Sequence, residues 1–179
     1  TEAIDSMIKT VVQANRKSRF VRAMIIPVFV TLFSLGGATF GMAEEAIPFV
    51  LIFIPLALAL GYDSITGVAI PFVGSQVGFA AAFLNPFNVG IAQKIADVPM
   101  FSGIGFRLIV WALATALTIA FLMWYAARIK KNPALSPTYE IDQERRLLAK
   151  DDGLAEFAGM TGAHKFVLFL FSSALITMV

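Results

Sequence analysis

The sequence predicts an all-α polytopic membrane protein, and three observations carry that reading. Of 179 residues, 58% are apolar and only 15% charged, against roughly 45–50% and about 25% in soluble domains. The mean hydropathy is +0.79. The charges leave long gaps over 23–43, 46–62, 64–93, 108–127 and 166–179, and a helix needs about 20 apolar residues to cross a bilayer. The lipid bilayer is therefore the expected partner. A chain without Cys is no disulfide-stapled module, and a net charge of +2 argues against nucleic acid. The chain opens at Thr1 without an initiator Met and stops at Val179 inside an apolar run, so a fragment of a longer membrane protein is expected.

The elements follow in order. Residues 1–22 place Ile4, Met7, Ile8, Val11 and Val12 at helical spacing, with Arg16, Lys17, Arg19 and Arg22 gathered toward the end. That pattern fits an amphipathic interfacial helix, although a plain polar lead-in would put the same basic residues at the headgroups. Residues 23–62 read as a re-entrant helical hairpin or as two full spans. Gly36, Gly37 and Gly41 precede Glu44 and Glu45 between two apolar arms, and the second arm holds 17 uncharged residues with Pro48 and Pro55 among them. A break at membrane depth must find partners for its freed backbone groups in protein or a water-filled cavity. Gly37 and Gly41 also satisfy the spacing of a small-residue packing face.

Residues 64–97 read as a discontinuous transmembrane helix. The 30-residue charge-free run 64–93 would reach about 45 Å as one helix, too long for the hydrocarbon. It can bend at Gly74-Ser75-Gln76-Val77-Gly78 or at Asn85-Pro86-Phe87-Asn88, where Pro removes a donor and disfavours helix at the residue before it. A proline-kinked packing helix is the alternative. Residues 103–128 form a transmembrane helix, with Trp111 near one end and Trp124 and Tyr125 near the other as interfacial anchors. Residues 129–164 are polar and basic enough to be a cytoplasmic connector, with a short surface helix at 140–150, and the positive-inside rule puts the N-terminal segment on the same side. Residues 165–179 begin another, truncated transmembrane helix.

Two clusters carry candidate chemistry. At the first interruption Gly37, Thr39, Gly41, Glu44 and Glu45 are candidate substrate or coupling-ion residues, because an ionisable group at depth is costly and functional by default. Such a pair suits proton coupling or a cationic ligand. At the second, Ser75, Asn85, Pro86 and Asn88 place hydroxyl and amide oxygens beside freed carbonyls, hard ligands for Na⁺ near Asn85 and Asn88 or for polar groups of a substrate. Enzyme chemistry is poorly supported. The sole histidine, His164, falls in the connector, no thiol is present, and neither a zinc-protease nor a phosphate-loop pattern occurs. No cofactor is expected. A channel remains the nearest alternative to a transporter.

The strings LFSLGGATFGMAEEAIPF (32–49), LALGYDSITGVAI (58–70), GFAAAFLNPFNVGIAQKIA (78–96) and GIGFRLIVW (103–111) closely resemble the YfcC-type, DcuC-like transporters of the C4-dicarboxylate anaerobic carrier family. Such proteins look like members of the ion transporter superfamily, built from two inverted repeats whose hairpins and broken helices meet at a midplane site. The resemblance implies a fragment of an inverted-repeat secondary transporter in a bacterial inner membrane, with a hairpin tip near Gly37 to Glu45 and a turn at Asn85 to Asn88. It implies a small-molecule substrate, amino acid or dicarboxylate, moved by antiport or by Na⁺ or H⁺ coupling, and it allows a homodimer. Sodium-coupled relatives carry Ser-Asn-Thr at the tip, where this sequence reads Gly-Met-Ala-Glu-Glu. That departure favours basic amino acids over dicarboxylates.

Overall fold

The computed structural model describes the backbone of residues 19–151 and the side chains of 24–147. Most of the expected interfacial helix at 1–22, the end of the connector and the span at 165–179 lie outside the described residues. Within them the fold is helical, with no strand: α1 (Arg19–Thr39), a 3-10 turn (Glu44–Ala46), α2 (Ile47–Ala59), α3 (Ser64–Ala80), a π-turn (Pro86–Gly90), α4 (Ile91–Ile95), α5 (Ile104–Lys131), a second 3-10 turn (Pro133–Leu135) and α6 (Tyr139–Asp151).

Local chemistry sets the boundaries. Gly41 takes φ +81°, a left-handed conformation that costs glycine little, and the turn returns the Met42 N–H to the Gly36 carbonyl at 3.3 Å. Asp63 caps α3 by accepting from the Thr66 N–H at 2.9 Å, which satisfies a donor at the open end of the helix. α5 stops at Asn132, because Pro133 disfavours helix at the residue before it. Among the described residues α5 alone is long and apolar enough to cross a membrane, while Met24–Thr39 and Ser64–Ala80 are shorter apolar helices. At 28 residues α5 reaches about 42 Å, against about 26 Å for α3.

α3 packs against α1, α2 and α5, and its glycines make the close approach. A Cβ on Gly78 would lie 1.8 Å from the Ser34 carbonyl oxygen, and one on Gly37 would lie 2.1 Å from that of Ser75. The stretch 74–78 is therefore an unbroken crossing surface. Of the two places where the long run could bend, only 81–90 interrupts the helix, because the small residues at 74–78 are used to bring backbones together. The core beneath the crossing joins Val30, Phe33, Phe53, Leu56, Ile70, Leu122 and Ala126. Edge-on rings tie the hairpin arms, with Phe29 and Phe53 at 4.9 Å and Phe33 and Phe49 at 5.1 Å.

Two expectations change here. Trp111 is more than an interfacial anchor: its indole N–H donates to Ser34 Oγ at 2.9 Å, Ser34 also bonds Thr115 at 2.7 Å, and the ring meets Phe83 edge-on at 5.4 Å. The connector is helical at Tyr139–Asp151, but it is not simply solvated. Asp142 is buried and accepts from the Ser64 N–H at 2.9 Å and from the Ser64 hydroxyl, so α6 is fastened to the start of α3.

Candidate functional site

The hairpin tip and the helix interruption are hydrogen-bonded to each other. Asn85 is fully buried and its Nδ2 donates to the Gly37 carbonyl at 3.0 Å. Its Oδ1 accepts from the Phe87 N–H at 2.8 Å. The N–H groups of Phe83 and Leu84 both donate to the Ala38 carbonyl, at 3.3 and 3.1 Å. Gly41 is packed on the Asn85 amide, since a Cβ there would stand 2.9 Å from Oδ1. Asn88 Nδ2 donates to the Phe79 carbonyl at 2.6 Å, and its Oδ1 accepts from the Val89 N–H at 2.5 Å. Carbonyls freed by ending two helices are thus answered by amides from the break, as a water-poor environment demands.

The candidate residues divide on this geometry. Gly37, Gly41 and Asn85 come together at one point, and Asn88 closes the break behind them. Pro86 opens the π-turn and is exposed. Ser75 is fully buried within continuous helix, its hydroxyl returned to the Phe72 carbonyl at 3.0 Å. Thr39 likewise bonds back along its own helix, to the Leu35 carbonyl at 2.7 Å. Glu44 and Glu45 stand exposed at the foot of α2, where Glu45 Oε2 accepts from the Ala43 N–H at 3.0 Å. The two carboxylates follow the tip in sequence, and neither is among the hydrogen-bond partners of Asn85. Phe83 against Trp111, and a cavity shared by Ala80–Ala82 with Phe106, Arg107 and Val110, set the break level with the first two turns of α5. It lies nearer one end of that helix than its middle.

The sequence reading missed the polar cluster at the opposite end of α3. Asp63 is buried; besides Thr66 it accepts from the hydroxyls of Tyr125 and Ser136, each at 2.7 Å. Thr138 Oγ1 donates to Asp142 Oδ2 at 2.8 Å and Arg145 Nη1 to Ser64 Oγ at 2.7 Å. Burial pushes the Asp63 carboxyl up, but hydrogen bonds from Thr66, Ser136 and Tyr125 outweigh it and hold the group below its ordinary value. The helix-cap spacing of Asp63 before Thr66 was available as a signal. Nothing local marks Asp142 as the tie to α3, because Ser64 lies 78 positions away. Among the described residues no group of three or more His, Cys, Asp or Glu is placed to hold a metal.

Comparison with known proteins gives a consistent family. Residues 1–179 match the family described as C4-dicarboxylate anaerobic carrier. The chain is 47% identical over 143 residues to the Escherichia coli K12 protein named "Putative basic amino acid antiporter YfcC", covering 80% of this chain and 28% of that one. It is 36% identical over 146 residues to an uncharacterized Haemophilus influenzae protein, covering 82% of this chain and 28% of that one. The matched region therefore spans little more than a quarter of either relative. No solved structure matches. With its whole length inside the family match, the chain belongs to the C4-dicarboxylate anaerobic carrier family.

Proposed function

We propose that this chain supplies one re-entrant hairpin and one broken helix to a secondary active transporter of the bacterial inner membrane, working by alternating access. The observation that carries the reading is the junction at Asn85, where two helix ends at the level of the apolar part of α5 satisfy each other's backbone groups. Discontinuous helices that meet this way are what transporters use to place polar backbone within a membrane. Basic amino acids are the favoured substrate class. The exposed carboxylate pair Glu44 and Glu45 beside the tip would attract a cationic side chain and repel a dianion, and the Escherichia coli relative is named for basic amino acid antiport. Coupling falls to H⁺ through that pair or to Na⁺ at the carbonyls around Asn85 and Asn88. The N-terminal segment and 129–164 face the cytoplasm in this reading. A C4-dicarboxylate substrate is the second reading, favoured by the family's description.

The test uses the absence of Cys in this chain. Ala43→Cys is placed in the full-length protein, freed of other thiols, and labelled from each side with an impermeant reagent. Arginine, ornithine, succinate or Na⁺ is present or absent. Slow labelling suppressed by one of these ligands is the expected result and names the substrate class. Fast labelling from one side, indifferent to all four, would make 42–45 an ordinary loop and remove Glu44 and Glu45 from the mechanism.

A further inference from the structure

A cavity of about 630 Å³ opens between the end of α3, α4 and the first turns of α5, within the size range of small-molecule sites. Its lining is mostly apolar, with Ala80, Ala81, Ala82, Ala92 and Phe106, but takes in the polar Gln93 and Ser102, and Arg107 is the one charged side chain that lines it. Arg107 is half-buried, and its guanidinium has no hydrogen-bond or ion-pair partner among the described residues. It stands in the first turn of α5, where the helix dipole disfavours a cation and favours an anion beside it.

The other wall is built around a buried amide. Gln93 Nε2 donates to the Ser102 carbonyl at 2.9 Å, and Oε1 accepts from the Phe101 N–H at 2.5 Å. These bonds hold a loop in which Asp97 and Phe101 take φ +52° and +58°. Non-glycine residues rarely adopt that conformation, which costs of order 1–3 kcal/mol each and persists where surrounding contacts enforce it. Ala81 and Ala82 lead directly into Phe83 and Leu84, whose N–H groups bond the hairpin tip. A ligand held at Arg107 therefore stands beside the helix break.

We propose that this cavity is a carboxylate-binding site, in which Arg107 receives the carboxylate of the transported molecule next to the break. The inference rests on the transporter reading and adds a recognition residue that the tip does not contain. A guanidinium pairs with a carboxylate through two parallel, charge-assisted hydrogen bonds. Amino acids and dicarboxylates both carry the group. Amines that lack it are excluded.

Ala92→Cys, placed in the full-length protein freed of other thiols and held in vesicles of neutral phospholipid, reports on the cavity through its rate of maleimide labelling. The probes are arginine, succinate and agmatine, which is arginine without its carboxylate. Arginine or succinate should slow labelling by about threefold or more at saturation, while agmatine should not. Arg107→Ala should abolish the protection and Arg107→Lys should keep part of it, with the unliganded labelling rate and gel-filtration profile unchanged as the check on folding. Protection by agmatine equal to that by arginine would overturn the proposal. So would protection that survives Arg107→Ala, protection by none of the probes, or protection that follows added phosphatidylglycerol instead, which would assign the site to lipid phosphate. If the thiol at Ala43 responds to arginine or succinate while that at Ala92 does not, this inference fails and the transporter reading stands. If Arg107-dependent protection occurs without any uptake, the site stands and the transporter reading fails.

Discussion

The two ends of α3 solve the same problem with opposite materials. At its C-terminal end the chain breaks, and every group used is neutral: the Asn85 amide, the carbonyls of Gly37 and Ala38, and the N–H groups of Phe83 and Leu84. At its N-terminal end the partners are two buried carboxylates, Asp63 and Asp142, with serine, threonine and tyrosine hydroxyls and Arg145 around them. Neutral amides cost far less to bury than ions, so the first arrangement suits a fully buried junction beside the first two turns of α5. The second is tolerable because it sits where α6 and its basic residues gather, and because each carboxylate oxygen has a donor to answer it. The broken end is built to be polar without charge, and the capped end is built as an anchor.

Sharpening that contrast means perturbing each end and the crossing between them. The largest effect is expected at the crossing. Gly78→Ala drives a Cβ into the Ser34 carbonyl, a clash with backbone that should cost about 3 kcal/mol or more. Gly105→Ala meets open space and should leave stability near the parent's; thermal unfolding of the full-length protein in detergent compares the two. Next comes the break. Asn85→Ala leaves the Gly37 carbonyl and the Phe87 N–H without partners in a buried place, worth about 2–4 kcal/mol together, and uptake in vesicles should fall with it.

The anchor should respond to pH where the break does not. Because the Asp63 carboxyl is held below its ordinary value in the folded protein, its contribution is complete above the unfolded pKa of about 3.9 and fades as pH falls through the folded value. Melting temperature should therefore drop below about pH 4, and Asp63→Asn should start lower and lose that part of the slope. Asp142→Asn tests the same end separately, with α6 becoming open to protease while the Asn85 junction stays protected from hydrogen exchange. The smallest change in stability is expected at Glu44→Gln and Glu45→Gln. Both side chains are exposed, so the melting temperature should hold while the pH dependence of uptake shifts.

Much of this was readable along the chain. Spacing between charges located the apolar helices, Asn85-Pro86 located the interruption, and Gly41 located the turn at the tip. The run Gly74 to Gly78 misled, since glycine marks both a bend and a close crossing, and only the neighbour decides between them. Trp111 carried more than its pattern showed: an indole near a helix end fits an interfacial anchor, and only the fold brings Ser34, 77 positions away, within reach of its N–H. Arg107 gave no local sign of its cavity. Its walls come from three elements that adjoin only after the chain has turned at Asp97 and Phe101.

The sequence by itself determined that this is a helical membrane protein with two interrupted segments, because hydrophobic length and helix-breaking residues act locally and survive any choice of packing. The tertiary structure alone decided which glycines are crossings and which are turns. It also decided that the tip and the break share Asn85, and that the connector is pinned to α3 through Asp142. Those outcomes depend on hydrogen bonds and backbone contacts between residues tens of positions apart, and a buried polar group declares its partner only when burial has removed water as the alternative.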